Sequence, residues 1–126
     1  MASNQQARLG LDGENAAARF LEGRGHTILD RRFRTNLGEL DLITRSGNHL
    51  YFIEVKTRRF GSTKAPLSDA LEAVNQRKQR RITQLAQIYI DRNQLWELTP
   101  HFSVIGIEKQ RSSARLHFLP DAFDAC

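Results

Sequence analysis

A chain of 126 residues, 40% hydrophobic and 26% charged, is long enough for one domain that buries roughly two thirds of its unfolded surface. No apolar run reaches the roughly 20 residues that cross a bilayer, the opening MASNQQARLG lacks the core of a secretory signal, and the lone Cys126 excludes an internal disulfide or a thiolate zinc cluster. The formal net charge of +5 favours a polyanionic partner, because neutralised phosphates release counterions.

A single domain over residues 1–126 is expected, with flexible tails at about 1–7 and 120–126. Ala16, Ala17, Phe20 and Leu21 recur at helical spacing and predict a helix over about 8–23, with Gly10 and Gly13 weakening its first turns and Gly23 and Gly25 ending it. Three strand-like runs follow, His26 to Arg34, Gly38 to Arg45 and His49 to Thr57, with a turn at Thr35-Asn36 between the first two. Residues 58–67 read as a loop, and one long helix capped by Ser68 is expected to run to about Asn93. Phe102 to Glu108 and Ala114 to Leu119 close the chain as strands. The order α-β-β-β-α-β-β predicts an α/β fold, a mixed sheet flanked by helices.

The segment GELDLITRSGNHLYFIEVKTR, residues 38–58, is the most informative. Gly47-Asn48 is a two-residue hairpin signal, so Ser46 should pair with His49, Ile43 with Phe52, Asp41 with Glu54 and Glu39 with Lys56. Alternation then puts Leu40, Leu42, Tyr51, Ile53 and Val55 on one apolar face. The other face carries Ile43, Leu50 and Phe52 near the turn, and Glu39, Asp41, Glu54 and Lys56 further along. Carboxylates directly opposed across strands repel, and a divalent cation shared by Asp41 and Glu54 would remove the repulsion. Lys56, on the same face, would orient a water or stabilise developing negative charge. The competing reading is a solvated charged face, with Glu39 and Lys56 as a simple ion pair.

These residues carry a resemblance. Asp41 followed by Glu54-Val55-Lys56 on the next strand resembles the PD-(D/E)xK motif of restriction-endonuclease-like nucleases. With Gly13-Glu14, Ala16-Ala17, Gly38-Glu39-Leu40-Asp41-Leu42-Ile43, Phe52-Ile53 before the motif, Thr57-Arg58 after it, Ala73-Val74 and Lys78-Gln79-Arg80-Arg81, nearly the whole chain is similar to the bacterial YraN family. The resemblance implies a restriction-endonuclease-like fold similar to archaeal Holliday junction resolvases. It also implies Asp41 and Glu54 as ligands of Mg²⁺ or Mn²⁺, Lys56 as the catalytic lysine, and Glu14 as a further metal ligand from the first helix. The chain departs from the family at Ser103, where relatives usually carry aspartate, so an anionic contribution from that strand is not expected.

Leu71, Val74, Lys78, Ile82, Leu85 and Tyr89 form one helical stripe interrupted by Lys78, which either snorkels or reaches the acidic site to bind substrate phosphate. Arg77, Arg80 and Arg81 beside it, with Arg31, Arg32, Arg34, Arg58, Arg59 and Lys64, predict a phosphate-tracking surface; Lys78, Arg77, Arg81 and Arg58 are its leading candidates. Phe60 would stack on a base or anchor its loop, and Trp96 reads as a packing anchor. The four histidines show no metal-ligand spacing, and no Ser-His-Asp pattern or nucleotide fingerprint is present. The expected activity is Mg²⁺- or Mn²⁺-dependent endonucleolytic cleavage of DNA, including branched or damaged DNA, in the cytoplasm and away from membranes. Related nucleases dimerise to act on two strands, which makes a homodimer compatible. The alternative is a nucleic-acid-binding module that keeps the fold without turnover.

Overall fold

The computed structural model describes residues 2–59 and 66–126, with side chains described from Asp12 onward apart from Pro66 and Asp69. Its elements are α1 (Ala2–Gly23), β1 (Thr27–Thr35), β2 (Gly38–Ser46), β3 (His49–Arg59), α2 (Pro66–Ala73), α3 (Gln76–Asn93), β4 (Thr99–Lys109) and β5 (Ala114–Phe123). The strands form one mixed sheet in the order β1-β2-β3-β4-β5. Only β3 and β4 run parallel, because the intervening helices carry the chain back to its starting edge. None of the described helices is long and apolar enough to cross a membrane.

Period-two alternation supplies a core on each face. Leu42, Ile53, Ile105 and Ile107 pack against Ala17 and Leu21 of α1. Ile43, Leu50, Phe52, Phe102 and Val104 pack against Ala70 and Val74 and against Ile82, Leu85, Ala86 and Tyr89 of α3. The expected hairpin register is present from Ser46↔His49 to Leu42↔Ile53. Gly47 has φ of +59°, the first-position glycine of a two-residue hairpin loop.

Four expectations are corrected. First, α1 starts at Ala2 rather than about 8: the Ala, Gln and Arg that precede Gly10 are good helix formers, and single glycines cost helix without breaking it. Its expected end holds, with Gly25 at φ +88° and the His26 amide bonded to the Leu21 carbonyl at 2.9 Å. Second, the long helix is two. Asn75, extended at ψ 174°, accepts the Lys78 amide at 2.9 Å and caps α3, so the start signal is Asn75 rather than Ser68. Leu71, placed in the apolar stripe by spacing, is consequently exposed. Third, β5 runs on to Phe123, whose ring stacks on Phe102 at 5.2 Å, so most of the expected C-terminal tail belongs to the sheet. Pro120 fits because β5 is an edge strand and the β4–β5 register shifts there. Fourth, Trp96 is 62% exposed, with its indole N–H donating to Asp91, and is no packing anchor among the described residues.

Asn75→Ala should cost about 1 kcal/mol in urea unfolding, with Asn75→Ser close to wild type. An unchanged midpoint for the alanine variant would mean that another residue starts α3.

Candidate active site

The paired strands β2 and β3 separate one step before Asp41 and Glu54. The ladder ends at Leu42↔Ile53. Asp41 Oδ2 then accepts the Val55 amide at 2.7 Å, a donor that a continuing ladder would give to a β2 carbonyl. The side chain thus replaces a backbone partner, and its carboxylate is drawn in beside Glu54. Leu40 correspondingly packs in the α3-side core rather than beside Leu42, because alternation slips at this unpaired step.

Glu54 is 7% exposed. Lys78 Nζ of α3 lies 3.1 Å from its Oε2, while Oε1 is buried and has no hydrogen-bond partner. Burial above all, then the Asp41 charge, pushes the Glu54 carboxyl up to about 8 against the opposing pull of Lys78. Asp41 is also raised, again by burial first, with the Val55 amide acting against it. Asp41, Glu54, Lys56, Ala70, Val74 and Lys78 line a cleft of about 270 Å³. Lys56 stands exposed at the rim, two residues along from Glu54 and on the same face. Two hard carboxylate donors, one with an orphaned buried oxygen, fit a divalent cation such as Mg²⁺ or Mn²⁺.

Glu14 reaches this neighbourhood from α1. The helix is pressed onto β3 at Gly13, where a Cβ would lie 1.8 Å from Thr57 Oγ1. The Glu14 carboxylate is buried, but it faces Arg32 of β1: Nη2 and Nε lie 2.8 and 3.1 Å from Oε2. Among the described residues, no three or more His, Cys, Asp or Glu side chains form a cluster arranged to hold a metal. Asp41 and Glu54 are therefore the assembled pair, and Glu14 stands beside them in an ion pair.

Arg32 has φ of +56° in the middle of a strand, a conformation costing a non-glycine residue on the order of 1–3 kcal/mol. Arg31 pairs with Leu42 and Phe33 with Leu40, so the skipped step is Arg32 against Asp41. The Glu14 carboxylate, by hydrogen bond and charge, holds the guanidinium above its ordinary range, with Glu39 and Asp41 adding to the effect. A half-exposed ion pair is screened by solvent and does not by itself repay the strain. Nothing in the residue pattern signals this conformation, because arginine at left-handed φ has no sequence mark.

The other candidates divide. Lys78 reaches the acidic site, whereas Arg77 and Arg81 stand exposed on α3, with Arg81 Cδ over Gly38. Arg58 is turned away: its register partner across the parallel ladder is Glu108, and Nη2 pairs with that carboxylate at 3.0 Å with both side chains nearly buried. Its place among the phosphate-tracking arginines is thereby corrected, since opposite charges side by side on buried strands hold each other. Glu39 pairs with Arg34 rather than Lys56, because this end of β2 is laddered to β1. Ser103 donates to the Pro120 carbonyl at 2.6 Å, tying β4 to β5. His49, His101 and Asp121 form a hydrogen-bonded row at the turn end of β3, about 16 Å along the strand from Glu54. Phe60 and Lys64 lie outside the described residues.

Comparison with known proteins adds the family. The model of "Uncharacterised protein family UPF0102" matches residues 13–107, a stretch that holds Glu14, Asp41, Glu54, Lys56 and Lys78. A UPF0102 protein of Syntrophotalea carbinolica is 42% identical over 120 residues, covering 95% of this chain and 94% of its own. One of Hahella chejuensis is 39% identical over 118 residues, covering 91% and 89%. One of Marinobacter nauticus is 35% identical over 126 residues, covering 99% of each. The chain belongs to the UPF0102 family.

Proposed function

We propose that this protein is a cytoplasmic divalent-cation-dependent endonuclease that hydrolyses phosphodiester bonds in DNA, including branched or damaged DNA. The observation that carries the reading is the buried Asp41–Glu54 pair, with one carboxylate oxygen unsatisfied and two lysines at the same cleft. Burying two adjacent carboxylates is unfavourable unless a cation is meant to join them. The Asp41, Glu54-Val55-Lys56 pattern and its likeness to PD-(D/E)xK nucleases of the YraN type support the same chemistry.

Asp41 and Glu54 would hold Mg²⁺ or Mn²⁺, which supplies the positive charge that a phosphate under attack requires. Lys56, at the rim, presents its ammonium to the attacking water or to the charge that develops as the bond breaks. Lys78, between Glu54 and solvent, can hold a non-bridging phosphate oxygen. Arg77 and Arg81 extend positive charge along α3 for the flanking backbone. A homodimer would let two such sites address two strands.

The test uses linear, flapped and four-way-junction DNA with Mn²⁺ and with chelator. Lys56→Ala and Asp41→Asn should each lower cleavage about 10²-fold or more, and DNA binding should weaken steeply between 50 and about 200 mM salt. Cleavage that survives both substitutions would remove the assignment.

One observation favours a second reading, a nucleic-acid-binding module without turnover. Glu54 is met by Lys78 and Glu14 by Arg32, so two of the acidic groups already have a cationic partner. Salt-dependent DNA binding that is indifferent to Mn²⁺, with every substrate left intact, selects that reading.

A further inference from the structure

Arg32 competes with any other cation for the Glu14 carboxylate, both of whose oxygens lie within 3.5 Å of its guanidinium. In this structure its buried carboxylate is given to Arg32, and the pairing coincides with a strained backbone at Arg32 and a skipped ladder step against Asp41. The two ends of the pair differ: the Glu14 side chain is 11% exposed and that of Arg32 is 49% exposed. The arginine thus sits at the solvent side of a group of carboxylates, Glu14, Glu39 and Asp41, whose charges all act on it. The left-handed backbone at Arg32 coincides with a guanidinium turned to α1, and such strain persists only where the surroundings hold it.

We propose that Arg32 is a latch on Glu14 and, once released, a phosphate ligand. In the latched state, Arg32 neutralises Glu14 and is itself occupied. When Glu14 turns toward a divalent cation in the site, the guanidinium loses its partner and faces solvent within the field of Glu39 and Asp41. It then takes a backbone phosphate of the nucleic acid, for which its planar fork is suited. Cation and nucleic acid would bind with positive coupling, each favouring the state that the other needs. This inference rests on the nuclease reading of the site and adds its regulation.

The test separates the two. Mn²⁺ binding is measured by calorimetry on the wild type, Asp41→Asn and Arg32→Gly; glycine suits the left-handed φ, so that variant keeps the fold, with thermal melting as the check. Binding of a DNA four-way junction is measured without metal on the wild type, Arg32→Gln and Glu14→Gln. The latch predicts Mn²⁺ affinity about 10-fold tighter in Arg32→Gly, because a competing charge has gone. It predicts metal-free junction affinity several-fold tighter in Glu14→Gln, because Arg32 has been freed. Arg32→Gln should bind the junction more weakly than wild type in the presence of Mn²⁺.

Either unchanged Mn²⁺ affinity in Arg32→Gly or unchanged or weaker junction binding in Glu14→Gln overturns the latch. Mn²⁺ binding that depends on Asp41 but not on Arg32 overturns the latch alone. No Mn²⁺ binding by the wild type overturns both the latch and the nuclease reading.

Discussion

Glu54→Gln should abolish cleavage, by about 10³-fold, while making the metal-free protein more stable at alkaline pH. The second half follows from linkage. Burial and the neighbouring Asp41 lift the Glu54 carboxyl from the ordinary 4.5 to about 8. Below the unfolded value the group is protonated in both states and costs nothing. Between about 4.5 and 8 the unfolded chain ionises while the folded chain keeps its proton, so stability falls with rising pH, and the loss is complete above the folded value. Asp41, also raised, adds to the fall with the same sign.

A glutamine at 54 is neutral throughout. The variant should therefore equal or slightly trail the wild type at pH 5, where the folded glutamic acid is itself neutral. Near pH 8.5 it should exceed the wild type by on the order of a few kcal/mol. Mg²⁺ at saturating concentration should narrow that gap, because a cation favours the ionised glutamate. Thermal melting of both proteins at the two pH values, with chelator and with Mg²⁺, reads all four corners. A wild type more stable than Glu54→Gln at pH 8.5 in chelator would contradict the picture of a carboxylate buried at a cost for function.

Gly13→Ala should destabilise the fold by about 3 kcal/mol, against the direction that helix propensity alone predicts. In an exposed helix interior, alanine gains about 1 kcal/mol over glycine. Here the new methyl would meet Thr57 Oγ1 at 1.8 Å, Cβ at 2.9 Å and Cγ2 at 3.0 Å. Thr57 is β-branched on a paired strand, and every rotamer leaves a heavy atom or two beneath the helix. The helix must lift instead, which loosens Ala17 and Leu21 from the core they share with Leu42, Ile53 and Ile105. Glu14, the next residue, would move with it.

Thr57→Ala removes Oγ1, a buried hydroxyl oxygen without a hydrogen-bond partner, and Cγ2, and leaves Cβ at 2.9 Å as the one remaining close atom. The double variant Gly13→Ala/Thr57→Ala should therefore recover most of the loss in chemical denaturation. If it is no more stable than Gly13→Ala alone, the contact with Thr57 is not what demands glycine at position 13.

The hairpin was legible in the sequence because its information is local. Gly47-Asn48 sets a two-residue turn, the turn sets the pairing, and period two then assigns Ile43 and Phe52 to one face and Leu42 and Ile53 to the other. The motif put Asp41, Glu54 and Lys56 in one neighbourhood, although the expected ladder pairing stops one step short of Asp41 and Glu54. Of the two readings open for Lys78, the structure selects the one that reaches their cleft. It failed where one residue's competition with its neighbours decided the outcome. Asn75 out-competed Ser68 as the cap that starts α3, a choice between two good helix starts that depends on where the chain must turn.

Other features depended on partners distant in the chain. Whether Arg58 faced solvent or Glu108 was settled by a parallel register between strands separated by two helices. The glycine at 13 looked like a weak point of α1 until Thr57 was found beneath it. The family resemblance implies a Glu14 carboxylate at the acidic site, and the structure adds that it is held by Arg32, through a left-handed turn that no pattern of residue types encodes.

The sequence by itself determined the layout of strands and helices and the three residues at the centre of the site, because hydrophobic period, turn chemistry and residue type act over a few neighbours. Only the tertiary structure decided which charges are spent on one another and which remain for a ligand. Pairing between distant segments is set by how helices and strands pack, and packing is a property of the whole fold.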